Sequence, residues 1–272
     1  MLLKKELMNI KDSEYKIVDD SVLRNYIEAM LDNIGSTDSE LRDDLIYSTF
    51  SHWILKDFVS PNLLKIILET ILDKHLFYNI GESNSDSVFT RSFSMLLIPL
   101  ILMADQKNKF LNSEDILIIK KRIICYIHSE KDLRGYVAEK GWAHALAHAA
   151  DAINELAKYN LPMEDQLELL NVIKKAICTK ETIYTNLEDE RLITAVMTIL
   201  KNNTFTSDVF KQWICSFILW EKTEVWHEEY IIISNVRNFL GRLYFQLDQE
   251  GNKMNEALIV KEQLNTMMKN YT

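Results

Sequence analysis

Residues 60–72 read SPNLLKIILETIL, a serine and a proline followed by apolar residues at three- and four-residue spacing. Serine is a favoured helix cap and proline suits the first helical position, so this stretch predicts a helix with a broad apolar face. The same design returns as SEDILIIKKRIICYI (113–127), MEDQLELLNVIKKAI (163–177) and TSDVFKQWICSFIL (206–219). The starts near 60, 113, 163 and 206 are separated by 53, 50 and 43 residues. Further helices are expected over 20–33, 38–56, 88–104, 142–159, 186–201, 225–247 and 253–270, the one over 186–201 capped by Asn186. Eleven helices follow, with no strand pattern.

Composition points the same way. Six Gly and three Pro in 272 residues make about 3% of the chain, where roughly 12% is average. Tight β reversals and glycine-rich phosphate loops are therefore excluded. Paired helices repeating every 40–50 residues predict an all-α, HEAT-like α-solenoid in one domain over 1–272. A compact helical bundle or an α/α toroid is the rival architecture.

The 40 acidic and 31 basic residues leave a net charge of −9, and no run of five Lys/Arg exists, so neither nucleic acid nor anionic membrane is an expected partner. Cys125, Cys178 and Cys215 are an odd number, widely spaced in apolar segments, a pattern expected of buried, reduced thiols in a cytoplasmic protein. The N-terminus lacks an apolar signal core, and the longest charge-free apolar stretch, 92–104, is too short to span a bilayer. The expected location is the cytoplasm.

Chemistry concentrates in DLRGYVAEKGWAHALAHAADAINE (132–155). Drawn as a helix from Trp142, its alanines leave slim flanks. Trp142, Leu146, Ile153 and Leu156 lie on one side, with His144, His148, Asp151 and Glu155 on the other. His144 and His148 at i, i+4 could reach one divalent metal, with Glu190 or Glu188 completing the set. The glutamate of a metalloprotease HExxH motif is absent, because Ala145 follows His144. No cofactor is implied outright, and the same histidines also read as ordinary solvated residues.

Polar faces recur on neighbouring helices. If they line one concave side, Arg91, Arg134, Tyr136, His144, His148, Asp151, Glu190, Arg191, Asn235, Asn238 and Arg242 form a band rich in directional hydrogen-bonding groups. The expected function is binding of a protein partner or a small polar ligand there. The alternatives are a metal-assisted hydrolase using His144 and His148 with an acid, and a purely structural interaction protein whose polar band is salt bridges and caps.

RGYVAEKGWAHALAHAAD (134–151), with TRSFS (90–94), EDERL (188–192) and NVRNFLGRLYF (235–245), resembles a family of uncharacterised bacterial proteins, mainly from Gram-positive bacteria, known as a domain of unknown function. The resemblance implies a single bacterial domain and carries no catalytic residues with it.

Overall fold

The computed structural model describes residues 2–16, 19–202, 204–220 and 224–269. The chain is all-α, with twelve α-helices among the described residues. It divides into two compact units, Met1–Ala152 and Ile153–Thr272.

The first unit holds α1 (Leu2–Asp12), α2 (Asp20–Asp32), α3 (Ser48–Leu55), α4 (Pro61–Thr70), α5 (Ser87–Asn108) and α6 (Ser113–Ser129). Two stretches are wound wider, as π-helix: Glu40–Tyr47, which runs directly into α3, and Ile71–His75, which prolongs α4. Helix α7 (Ala145–Leu156) starts in this unit and ends in the second.

Helix α5 is the centre of the unit, and α3 and α4 both pack on it. By length and composition it is apolar enough to cross a membrane, yet 83% of its most apolar window is buried inside the protein. A helix apolar all round with its surface covered by neighbours is a core helix. It ends where Lys109 turns left-handed, and α6 restarts on a full capping box, with Asn112 and Asp115 each accepting from the other's backbone N–H.

The second unit contains the end of α7, then α8 (Met163–Ile177), α9 (Glu188–Lys201), α10 (Ser207–Ser216), α11 (Trp226–Gln249) and α12 (Met254–Met268). Helix α9 packs between α8 and α11, while α12 covers α10 and α11. Thr206 caps α10 through the backbone of Val209, as its sequence predicts. The expected end of the last helix, at Asn270, lies outside the described residues.

Four expectations are corrected. Helix α1 was not among the eleven, since Leu7 and Ile10 are its only fully buried apolar positions and make a faint stripe. Asn186 is not the cap of α9; left-handed Leu187 takes that place, and the Asn186 N–H bonds Glu188. A short antiparallel hairpin exists, β1 (Tyr136–Val137) and β2 (Gly141–Trp142), too brief to show alternation. Finally, the helix expected from Trp142 begins only at Ala145.

Candidate functional site

Helix α6 ends at Glu130, and α5 places Arg91 opposite it. Both side chains are buried, and the guanidinium forks onto the carboxylate with Nε–Oε2 at 2.7 Å and Nη2–Oε1 at 2.8 Å. Arg91 Nη1 also donates to Ser87 Oγ at 2.8 Å and to the carbonyls of Tyr78 and Asn79 at 3.0 and 3.2 Å. Glu130 Oε1 accepts from the backbone of Lys131 and Asp132, each at 2.9 Å. Burial works against the Arg91 charge, and the contact with Glu130 more than offsets it.

A second fork continues the staple. Arg134 holds Asp132 through Nε at 2.7 Å and Nη2 at 2.6 Å, and reaches the Ser85 carbonyl at 2.9 Å. The irregular connections around 77–86 and 130–134 are thereby tied together by charge-assisted bonds, the stronger class of hydrogen bond.

The hairpin stands on this base. Tyr136 pairs with Trp142 and Val137 with Gly141. Fully buried Arg42 donates to the Lys140 carbonyl and to the Ser36 carbonyl, both at 2.7 Å. Its guanidinium carbon lies 4.3 and 4.6 Å from the ring centres of Phe89 and Phe93. Gly141 has φ +82°, and a Cβ there would come within 3.0 Å of Arg42 Nη2 and of Ser39 Cβ. Glycine is required at this point for both reasons.

An aromatic ladder runs outward from the core. Phe93 meets His148 edge-on at 5.2 Å, His148 meets His144 at 6.0 Å, His144 stacks on Trp142 at 4.2 Å, and Trp142 meets Tyr136 at 5.0 Å. The inner end is buried, whereas Trp142 is 43% and Tyr136 58% exposed. His144 has φ +48°, sparsely populated for a residue with a Cβ. Its carbonyl accepts the His148 N–H at 3.0 Å, so it precedes the first turn of α7 rather than lying on it.

That placement corrects the histidine face drawn from the sequence. His148 and Glu155 are buried, and Asp151 is half-buried. From α7 the His148 side chain reaches α5, where its Nδ1 meets the Ser92 carbonyl at 3.0 Å. A carbonyl only accepts, so Nδ1 carries the proton. Among the described residues no three His, Cys, Asp or Glu side chains gather as a metal site needs.

The remaining band residues lie in the second unit. Glu190 and Arg242 pair with each other at 2.6 and 2.8 Å. Buried Asn235 accepts from the Tyr184 N–H at 3.0 Å and donates to the Thr182 carbonyl at 2.9 Å, which holds the loop before α9. Arg191 and Asn238 are exposed. Burial raises the carboxyls of Glu188 and Asp189 above their ordinary values. Arg91, Arg134, Tyr136, His144, His148 and Asp151 all belong to the first unit, where Arg91 is consumed by internal bonds.

Sequence reasoning missed Arg42, Glu130 and Asp132. Asp132 opens the quoted segment and Glu130 lies two residues before it, at the end of α6, a usable signal. Arg42 meets Lys140 across 98 residues, and no local pattern announces that.

Among curated proteins and among solved structures, nothing matches this chain. A family model does match residues 76–245, from just before α5 to well into α11, which takes in every band residue and leaves Arg42 outside. The chain belongs to the family described as Protein of unknown function (DUF2785).

Proposed function

We propose that the chain is a binding module that presents the Tyr136–Trp142 hairpin to a protein partner. The observation that carries this reading is exposure joined to rigidity. Tyr136 and Trp142 are large, exposed aromatics, while everything behind them is stacked, ion-paired or hydrogen-bonded to the core. Aromatic anchors dominate binding energy at interfaces, and a pre-ordered anchor loses little entropy on docking. The strained backbone at His144 is kept by its surroundings, as strain at recognition sites commonly is. The expected cytoplasmic setting accords with the three free thiols, although Cys125 is exposed and Cys178 and Cys215 are half-buried where burial was expected.

A photo-crosslinking residue at position 136 tests the reading in cells, with the same residue at Leu258, exposed on α12, as the control. A discrete adduct from position 136 and none from 258 is expected. The partner, once purified, should bind Trp142→Ala at least about tenfold more weakly, a loss of about 1.4 kcal/mol, while circular dichroism stays unchanged. Equal labelling at the two positions, or unaltered affinity of the variant, overturns the proposal.

A further inference from the structure

Away from the hairpin, α2, α4 and the π-helical turn after α4 border a groove of about 420 Å³, within the size range of small-ligand sites. Its floor is apolar, made by Ile27, Leu31, Leu63 and Ile67, all buried. Its rim is charged with both signs. Arg24, Glu28 and Asp32 follow one another at four-residue spacing along α2 and so share a face. Lys74 and His75 come from the π-helical turn.

The charges have an order. Asp32 acts electrostatically on His75, which puts the C-terminal end of α2 beside the π-helical turn. Arg24 then stands eight residues away along the helix, about 12 Å at 1.5 Å per residue. Among the described residues, Arg24, Glu28 and Lys74 enter no ion pair. His75 Nδ1 is buried with no hydrogen-bond partner among them, an unmet demand that burial makes costly. Burial also holds His75 below the ordinary histidine value, against the pull of Asp32.

An apolar floor with unmatched charges of opposite sign along one wall is complementary to a zwitterion with an apolar body. We propose that this groove binds a short apolar peptide of two or three residues with free termini, its carboxylate on Arg24 and its ammonium on Glu28 and Asp32. An extended peptide of that length spans about 7–10 Å, and the flexible arm of Arg24 covers the rest. Lys74 and His75 Nδ1 are left to serve the peptide's backbone groups. The site shares no residue with the hairpin surface and lies outside the residues matched by the family model, so the two proposals stand or fall separately.

Calorimetry of the intact chain with leucyl-leucine and trileucine tests it, with the N-acetylated and C-amidated forms as controls. Binding of a free peptide is expected, weakened at least about tenfold by blocking either terminus. Arg24→Gln should abolish the sensitivity to amidation, and Glu28→Gln should reduce the sensitivity to acetylation, with Asp32 keeping the remainder. Both side chains are exposed, so the variants keep the fold. Nitrogen-15 NMR should show the His75 imidazole shifting on titration in the unmodified protein. No binding by either free peptide, or equal binding of free and blocked forms, overturns the proposal.

Discussion

Glu130 makes four hydrogen bonds, two to Arg91 and two to backbone N–H groups. A buried ion pair offers little net stability against apolar replacement, but removing one partner leaves the other charge stranded. Glu130→Gln is expected to cost about 3–5 kcal/mol, read as a lower urea midpoint. Apolar replacement of both, Arg91→Met with Glu130→Leu, should not restore stability. The Tyr78 and Asn79 carbonyls and the Lys131 and Asp132 N–H groups would lose their partners as well. Recovery to within about 1 kcal/mol would show that those backbone bonds contribute little. That Arg91 matters was legible in its polar setting between Thr90 and Ser92. That it faces inward was not, because orientation depends on Glu130, 39 residues away.

Helix α7 shows how an element is both readable and misread. Its alanine run marks close packing, and Ala145, Ala147, Ala149, Ala150 and Ala152 are indeed buried. Ala150→Leu should overfill that contact and cost about 1–3 kcal/mol, lowering the urea midpoint with an unchanged slope. An unaltered midpoint would mean that α7 has room to spare. The start of α7 could not be read, because three residues after Gly141 are spent on the hairpin and on left-handed His144 before the first helical bond forms. The capping signal at Thr206 worked because a cap is a contact within four residues, whereas the cap of α6 is Asn112, one residue before the expected start at Ser113. Asn186 failed because a cap also needs extended backbone, and Leu187 intervenes in a left-handed turn.

At the scale of the whole molecule, the net charge of −9 at pH 7 vanishes near pH 5.3, where self-association is least opposed. Loss of solubility there should not be unfolding. Asp43, Glu188 and Asp189 are raised by burial, so between their unfolded and folded values the native state holds more protons and mild acid favours it. His75, lowered by burial, works the other way as pH falls below its unfolded value, and Asp19, Asp38, Asp57, Glu82 and Asp115, all held below their ordinary values, do so only in stronger acid, below their own unfolded values. Light scattering is therefore expected to peak near pH 5.3 while helical circular dichroism and the melting temperature hold. A melting temperature already falling steeply at that pH would refute this balance.

Helix class, most helix positions, the cap at Thr206 and the unusual 132–155 segment were determined by the sequence itself, because periodicity and capping act over a few residues. Tertiary structure decided which polar groups are spent and which are offered. Arg91, His148 and Asn235 carry the chemistry of a binding face, yet each is turned inward to satisfy a distant carboxylate or backbone group. Trp142, with the composition of a core residue, is left exposed because the hairpin lifts it away from α7. Burying a polar group is costly unless a partner offsets it, and the partners of these three lie 39–56 residues along the chain.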